Sequence, residues 1–559
     1  MMNRLYLPCV LLLVASASFS CRSVYEPAEY EAPSSPGVLE AGPDDPTREI
    51  GASYGARSRT AFDLPVQPLS AEETEPLRIS REDAVMLALQ NNRSLRVQRM
   101  DPIIAGTFEE LERSAFDPNL FGETSYSRER TERFPDETLE VFSDRRDSFR
   151  NRFGIQQRLP TGTDVEAGLS HTLTESDRVD FSQHRVRAGV TVTQALLEGR
   201  GLDVNLAQIR QAQFDTLASE FELRGFAEAL LADVESTYWD YVLALREVEI
   251  FEESVELAGR QLDATRERIE VGQLAETEIA AAEAEVALRR QALIDARSRV
   301  EILRLQLIRY LNPEPGEDAW DREIEVVDEP SVPEVDLDEV RDHVQVALAL
   351  RPEIHQAHLQ LAGEGLQVVQ TRNGLLPQLD FFVTLGKTGF ADSFGRAVDN
   401  IDGDGYDATV GIRAEYALGN RQSRANHRRS RTSERRAEES IRNLVQLVEF
   451  DVRSAYTETL RAREQIEAGA ATRRLQEEAL RAETEKFEVG LSTVLEVSQV
   501  QRDLLESQIA EVEAVIDYRK ALIDLYRLEG SLLKRRGIGG PGDRDLPSGP
   551  LREWNGRNL

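Results

Sequence analysis

The chain is short of cysteine, of aromatic residues and of long apolar runs, and each shortage excludes a class of protein. Two cysteines occur among 559 residues, and aromatic residues make up 6% of the chain. Cys9 lies inside the apolar N-terminal segment, so the mature chain keeps at most one thiol and has no intrachain disulfide. Beyond the N-terminus no stretch approaches the ~18 apolar residues that a transmembrane helix needs. The sequence therefore predicts no transmembrane helix.

Positive charge is also scarce. The chain has 67 basic and 100 acidic residues, which gives a formal net charge of −33. A nucleic-acid backbone would be repelled by this excess, so nucleic acid is not expected as a partner. The basic run Arg421 to Arg436 is one segment of this acidic chain. We interpret it as a helix start near lipid phosphates, with a plain solvated helix as the alternative.

Sequence motifs of catalysis are missing as well. The chain shows no nucleophile elbow, Walker loop, HExxH motif or supported pair of carboxylates. We therefore expect neither an enzyme nor a bound cofactor.

The N-terminus carries an export signal. Residues 1–20 combine a short basic start with an apolar core, which indicates a lipoprotein-type signal peptide. Cys21 follows Ser20 as in a bacterial lipobox and would be acylated, although Ser18 stands where that pattern prefers Leu. The alternative is ordinary cleavage after Ala17, which leaves Cys21 unmodified. Residues 21–76 and 537–559 are rich in Gly, Pro and Ser and are expected to be a disordered leash and tail.

Between these ends the chain is built twice. Gly272 and Gly490 lie 218 positions apart, each inside a long stretch of helix-forming residues. A glycine inside a helix costs about 1 kcal/mol relative to alanine, so two at matched places predict turns between helices. The first repeat covers 77–311, a linker covers 312–336, and the second repeat covers 337–536.

Each repeat is expected to run from a helix through strands into a long helical hairpin. The first helix is predicted from Ser80 to about Ser114, with Ser80 as N-cap and Asp83 as its capping-box partner. Alternating apolar residues then predict strands around Phe153–Leu159, Val165–Leu169, Val186–Val192, Leu379–Leu385 and Ala408–Leu418. Such alternation suits a membrane β-barrel wall, and a soluble antiparallel sheet is the alternative.

The helices that follow carry heptad seams. Apolar residues recur at every seventh position, at Ile279, Val286, Leu293, Val300 and Leu307, with a companion seam at Ala282, Arg289, Ala296, Leu303 and Tyr310. The phase is kept 218 positions later, from Val497 to Leu525 and from Val500 to Leu528. Long helices packed side by side are therefore predicted in both repeats.

This duplicated order resembles the TolC-like outer membrane efflux proteins over nearly all of residues 77–536. The resemblance implies a mainly α fold with a β-barrel part, in which a helix, a strand pair and a long helical hairpin are duplicated. It further implies a homotrimer, an α/β-barrel to which each protomer contributes four of twelve strands in the outer membrane lipid. A periplasmic adaptor protein and an inner-membrane pump are the implied partners.

The resemblance also gives the hairpin tips a role. Docking of the adaptor falls on the tip residues Gly272, Leu274, Gly490, Leu491, Ser492 and Thr493, for which a plain turn is the alternative. Gate and selectivity positions fall on Glu496 and Glu278, for which a solvated helix face is the alternative. The family's cationic tip residue is replaced by Ser492, so the usual salt-bridge latch is in doubt.

One further segment resembles a metal site. Asn400, Asp402 and Asp404 match the start of a calcium loop, but position twelve is Gly411 rather than a bidentate Glu. A polar turn is the alternative.

From the family resemblance, the chain is expected to be the passive outer membrane channel of a tripartite efflux pump or a type I secretion system. A non-conducting periplasmic coiled-coil scaffold lipoprotein is the competing hypothesis.

Overall fold

The computed structural model describes residues 76–133, 142–177, 179–311 and 320–540. The predicted signal peptide, Cys21, nearly all of the predicted leash and the tail beyond residue 540 lie outside these residues and stay predictions. The chain divides into two compact units. Within these residues the sheet unit consists of 103–133, 142–177, 179–216 and 359–439, and the helical unit consists of 76–102, 217–311, 320–358 and 440–540. None of the helices in these ranges is long and apolar enough to cross a membrane.

We number the helices and strands of the described residues in chain order. The helices are α1 (Arg81–Asn91), α2 (Arg93–Gln98), α3 (Met100–Arg113), α4 (Leu202–Asn205), α5 (Ala207–Glu270), α6 (Glu278–Leu311), α7 (Val340–Leu350), α8 (Pro352–Asn373), α9 (Phe394–Asp399), α10 (Arg421–Glu488), α11 (Val494–Leu528) and α12 (Leu532–Arg535). The strands are β1 (Leu77–Ile79), β2 (Asn119–Arg133), β3 (Phe142–Leu159), β4 (Thr163–Ser176), β5 (Val179–Ala195), β6 (Ile324–Val326), β7 (Gln378–Ala391) and β8 (Tyr406–Glu415).

The capping box at the first helix is confirmed. The Ser80 hydroxyl accepts a hydrogen bond from the Asp83 amide at 3.2 Å, and the Asp83 carboxylate accepts one from the Ser80 amide at 3.1 Å. The helix is shorter than predicted, because Asn92 leaves helical geometry with ψ 121° and its side chain caps α2 through the Leu95 amide. Side chains such as Asn compete with the helix for backbone hydrogen bonds, which explains the break.

Four long helices dominate the helical unit. Helix α5 has 64 residues and α10 has 68, so α5 alone spans about 95 Å at 1.5 Å per residue. Helices of this length are stabilised by packing rather than by propensity. The predicted seams are buried at several positions, among them Ala282, Val286, Ala296, Leu307, Val497, Ser507, Ala514, Tyr518 and Leu525. Strands β1 and β6 form a short parallel pair, and β6 lies in the segment expected to be a linker.

The sheet unit contains one antiparallel sheet of six strands in the order β2-β3-β4-β5-β7-β8. Its register shifts at one place, between Thr174 and Ser176 where β4 pairs with β5. One transverse row crosses all six strands through Leu120, Ile155, Ala167, Val190, Leu385 and Ala408. We call the side of the sheet that these residues share the apolar face. Successive residues of a strand point to opposite sides, so the neighbouring rows belong to the opposite face.

On that opposite face glycines make room for larger side chains. The adjacent row contains Phe121, Gly154, Gly168, Gly189, Gly386 and Asp407. A Cβ at Gly154 would lie 2.7 Å from the Phe121 ring, and one at Gly386 would lie 2.6 Å from the Asp407 carboxylate. Arg187 forms a two-pronged ion pair with Asp407, with its Nη2 2.7 Å from Oδ2. These glycines are needed because Phe121 and the ion pair lie directly over the sheet.

The sheet has six strands, two more than the four barrel strands per protomer that the resemblance implies. The first repeat supplies four strands and the second supplies two. The sequence of β2 shows no alternation of apolar and polar residues. The C-terminal part of β2, which pairs with the first residues of β3, is polar on both faces, and Arg128 there pairs with Asp147 at 2.8 Å. Strands β3 and β4 were recognised as strands, but the resemblance implied only a strand pair in each repeat.

Candidate functional site at the helical hairpin tips

The first hairpin turns at Gly272, between α5 and α6. Gly272 has φ +76°, in the left-handed region that favours glycine. The Gln273 amide donates to the Arg268 carbonyl at 2.8 Å, and the Gly272 amide donates to the Ile269 carbonyl at 2.9 Å. This pair of bonds closes the end of α5 and satisfies carbonyls that a helix C-terminus leaves free. The predicted turn is confirmed.

The second hairpin repeats this geometry at the residues 218 positions later. Gly490 has φ +78°. The Leu491 amide donates to the Lys486 carbonyl at 2.8 Å, and the Gly490 amide donates to the Phe487 carbonyl at 3.1 Å. The duplication thus extends to individual backbone hydrogen bonds at the two tips.

An apolar cluster lies directly behind the turns and joins the two hairpins. Phe487, Val494 and Val497 are buried together with Ala282 of the first hairpin, and Leu274 packs against them partly buried. The Arg268 guanidinium lies 4.6 Å from the centre of the Phe487 ring. A cation over an aromatic face is attracted by about 0.5–1 kcal/mol at an exposed site. Of the predicted docking residues, Leu274 is therefore used at least partly for packing within the chain.

The second tip has a hydrogen-bonded network around Glu496. Its Oε2 accepts hydrogen bonds from the Thr493 amide at 2.8 Å, the Thr493 hydroxyl at 3.0 Å and the Ser492 hydroxyl at 3.0 Å. The Thr493 hydroxyl accepts one from the Glu496 amide, which completes a capping box at the start of α11. These hydrogen bonds favour the charged form, so they lower the pKa of the Glu496 carboxyl.

A second carboxylate shares this network. Glu483 accepts a hydrogen bond from the Lys486 ammonium at 2.8 Å and one from the Ser492 hydroxyl at 2.5 Å. The Lys486 bond is the main cause that lowers the pKa of Glu483, and Ser492 adds to it. The Ser492 hydroxyl thus lies within hydrogen-bond distance of a carboxylate of α10 and one of α11, and its single proton can serve one of them at a time.

The first tip lacks this arrangement. The position equivalent to Thr493 is Ala275, and the position equivalent to Ser492 is Leu274. Glu278 begins α6 where Glu496 lies in α11, but a capping box needs a hydroxyl that Ala275 cannot supply. Equivalent glutamates at the two tips therefore have different surroundings.

Large apolar side chains are exposed at both tips. The exposed fractions are 68% for Val271, 70% for Val489, 79% for Leu491 and 61% for Leu495. All four residues lie at or next to the two turns. We call these four residues the tip patch. Leu491 is the predicted docking residue that belongs to it.

A charged group near the tip was not recognised as a unit in the sequence. Arg289 and Glu285 of α6 form a buried ion pair at 2.8 Å, with side chains 7% exposed. Arg502 of α11 reaches the same Glu285 at 2.9 Å and so connects the two hairpins. The sequence feature that could have revealed this group is the charged Arg289 in an apolar heptad seam, four residues after Glu285.

The calcium-loop candidate forms a compact turn in the sheet unit. The Asn400 side-chain amide donates to the Phe390 carbonyl at 2.9 Å, and the Lys387 ammonium donates to the Gly403 carbonyl at 2.9 Å. Over the described residues there is no group of three or more His, Cys, Asp or Glu side chains that could hold a metal ion. The interpretation of Asn400, Asp402 and Asp404 as a polar turn accounts for these contacts.

Comparison with known proteins places this geometry in a family. A family model described as outer membrane efflux protein matches residues 84–313 and 343–531, which is well over half of the chain. The chain is 25% identical over 351 residues to the outer membrane efflux protein BepC of Brucella suis biovar 1, covering 62% of this chain and 72% of BepC.

Solved structures share the fold. The outer membrane channel CmeC of Campylobacter jejuni superposes with a TM-score of 0.60 at 16% identity, covering 92% of this chain and 96% of CmeC. The outer membrane channel MtrE of Neisseria gonorrhoeae, in an open state, gives 0.54 at 18% identity, covering 86% of this chain and 98% of MtrE.

Proposed function

Because the chain belongs to the outer membrane efflux protein family, we propose that it is the outer membrane channel of a tripartite efflux pump or a type I secretion system. In this role the protein is a passive conduit, and the energy for transport comes from an inner-membrane pump. A periplasmic adaptor protein connects the two. The proposal extends the family assignment to a transport function, to a set of partners and to a role for the helical hairpin tips.

The observation that carries this proposal is the two-sided sheet. On β3 the apolar face carries Phe153 and Ile155, exposed by 55% and 51%, while Arg152 on the opposite face pairs with Glu166 at 2.9 Å. A wall between lipid and water needs this alternation of apolar and polar side chains. A soluble scaffold would leave the same apolar side chains in water, which is unfavourable.

The assembly is proposed to be a homotrimer. In the sheet of the described residues, β2 and β8 are the outermost strands. An open sheet edge is not tolerated in lipid, because its backbone N–H and C=O groups would have no partners. Pairing between copies removes these edges, and the long hairpins of the copies then line a shared periplasmic passage.

The tip patch is the proposed docking surface for the adaptor. Val271, Val489, Leu491 and Leu495 offer apolar contact, and Gly272 and Gly490 set the turns that present them. Ser492 and Thr493 act indirectly, since their hydroxyls are engaged with Glu496 and Glu483. Leu274 supports the tip from within the apolar cluster.

Glu496 and Glu278 are the proposed gate and selectivity residues. Three copies of each carboxylate around one axis would produce a negative potential that attracts cations. Glu496 is exposed and its pKa is lowered within the chain, so it is held in the charged form that this role requires. Loss of that charge is expected to weaken the preference for cations.

Conductance in planar bilayers tests the proposal. Protein purified in detergent should form trimers and give discrete channel events, and reversal potentials in a salt gradient should show cation preference. Glu496→Ala should reduce that preference, whereas Glu467→Ala, the same charge change far along α10, should not. Monomeric protein that needs no detergent and gives no channel events would support the scaffold hypothesis instead.

The membrane anchor is a separate proposal. We expect Cys21 to be the acylated first residue of the mature protein. Mass spectrometry of the mature N-terminus decides this point, because an unmodified start at Ser18 contradicts acylation.

A further inference from the structure

We infer that the β3–β4 hairpin is part of the membrane wall, so that each copy contributes six strands and three copies close an eighteen-stranded barrel. This inference rests on the proposed channel function. It changes the architecture from the twelve strands that the family resemblance implied. The neighbouring copies would join through β8 of one copy and β2 of the next.

The register supports placing this hairpin in the wall. Strand β3 pairs with β2 over fifteen residue pairs from Asn119↔Gln156 to Arg133↔Phe142, and β4 pairs with β5 from Thr163↔Gln194. The transverse row defined above passes through Ile155 and Ala167 without a shift in face. The hairpin is therefore interposed between β2 and β5 as two full strands. It is not an appendage on a four-stranded sheet, since β2 and β5 do not pair with each other.

The hairpin also has the two faces of a wall. Leu169 of β4 is 42% exposed on the apolar face, comparable to Leu385 of β7 on the same face at 42%. From Phe149 to Leu159 this face of β3 carries four apolar residues with the polar Asn151 and Gln157 between them, over about 24 Å along the barrel axis at a tilt of about 45°. Beyond Phe149 the same face becomes charged, at the Arg128–Asp147 ion pair. This face of the hairpin thus carries apolar residues with neutral polar ones among them and ends in ionic side chains.

The strand number allows the copies to close a ring. Six strands are fewer than the eight of the smallest outer membrane barrels, so one copy cannot close alone. Six is even and all the pairs are antiparallel, so β8 and β2 run in opposite directions. Edge pairing between copies is then antiparallel everywhere. With three copies the Cα radius is about 19 Å at a tilt of about 45°, compared with about 13 Å for twelve strands at the same tilt.

Spin labels test where the hairpin lies. Ile155→Cys on β3 and Leu385→Cys on β7 share one transverse row, and Gln156→Cys on β3 faces the opposite side. In phospholipid vesicles, nitroxides at residues 155 and 385 should collide more with oxygen, which concentrates in lipid, than with a water-soluble nickel chelate. The label at residue 156 should show the reverse. The unsubstituted chain corrects for Cys21, the one thiol that the mature chain can keep.

The outcomes separate this inference from the proposed function. A lipid signature at residue 385 without one at residue 155 overturns the six-strand wall and leaves the channel proposal intact. Water-like signatures at both positions overturn the channel proposal itself.

Cross-linking tests the junction between copies. Leu120→Cys on β2 and Val410→Cys on β8 place thiols on exposed residues at the two edges, 83% and 66% exposed. A flexible reagent about 10 Å long cannot reach across the roughly 24 Å of five inter-strand spacings within one copy. The double variant should give covalent species up to three copies, and each single variant should give none. Dimers from a single variant, or a series that ends at two copies, would overturn the arrangement.

Discussion

Replacing Gly490 by alanine should destabilise the second tip through backbone conformation alone. Gly490 has φ +78°, and a Cβ built there meets no atom within 4 Å. The left-handed conformation costs an L-residue other than glycine about 1–2 kcal/mol, with no steric clash to add. Gly259 offers a matched control, because it lies inside α5 and its added Cβ also meets nothing within 4 Å. Gly259→Ala should therefore stabilise its helix by about 0.5–1 kcal/mol.

Hydrogen exchange measured by mass spectrometry is the assay for this prediction. The Leu491 amide donates to Lys486 across the turn, and it is exposed to solvent when the turn opens. A loss of 1–2 kcal/mol in local opening free energy corresponds to exchange that is about 5- to 30-fold faster. Gly490→Asn should give a smaller effect, since Asn tolerates the left-handed region better than Ala. Gly272→Ala should act in the same way on the Gln273 amide.

Two results would refute this reasoning. Unchanged exchange at Leu491 in Gly490→Ala would mean that the turn does not hold its left-handed conformation in solution. If Gly490→Ala and Gly259→Ala changed the exchange rates of nearby amides equally and in the same direction, the φ angle would not be what distinguishes these two glycines.

Three further predictions concern side chains of the helical unit. Thr493→Ala should cost about 1 kcal/mol by removing an N-cap, and it should raise the pKa of Glu496 towards its ordinary value, as measured by NMR of labelled carboxyls. Arg502→Met should lower the unfolding temperature by removing one hydrogen bond to the buried carboxylate of Glu285, worth about 1.5–3 kcal/mol. Burial lowers the pKa of His355 to about 4, so the unfolded chain takes up the proton first on acidification. Stability should fall between about pH 6.5 and pH 4, by up to about 3 kcal/mol, in thermal unfolding followed by circular dichroism.

Matched variants serve as controls for these three predictions. Ala275→Thr should strengthen the first tip, because it supplies the hydroxyl that a box with Glu278 needs. Arg481→Met breaks a pair with Glu478 that is largely exposed, so it should change the unfolding temperature little. His355→Gln should flatten the pH dependence of unfolding between pH 6.5 and pH 4. A steep dependence that persists in His355→Gln would assign the proton uptake to another group.

The helical hairpins were predictable from the sequence because their signals are local. Heptad spacing reports burial along one helix, and Gly272 and Gly490 report backbone turns, so neither needs knowledge of distant partners. The same holds for the Ser80 capping box. By contrast, the helix break at Asn92 was not predicted. A side-chain cap inside a helical pattern changes the direction of the backbone without changing the spacing of the apolar residues.

The sheet was harder to predict because its information is shared between strands. Strand β2 has few apolar residues, and it is defined by pairing with β3 rather than by its own alternation. The glycines at 154 and 386 make sense only once Phe121 and Asp407 are known to lie over them. Among the site residues, Glu496 and Thr493 fit a capping box that is visible in the sequence as Thr-x-x-Glu. Their link to Glu483 through Ser492 depends on the fold.

The inequality of the two tips bears on how a gate of this kind could work. Glu496 accepts two hydrogen bonds from Thr493, so moving its carboxylate away from the start of α11 requires breaking the capping box. At the first tip Ala275 provides no such hydroxyl, and the Glu278 side chain can change position without that cost. The ion pair of Arg502 with Glu285 meanwhile ties α11 to α6 just behind the turns. Movement of one hairpin relative to the other therefore strains the Arg502 contact before it disturbs the Glu496 network. Opening should then depend more on Arg502 than on Thr493, and the two variants Arg502→Met and Thr493→Ala separate these contributions in single-channel recordings.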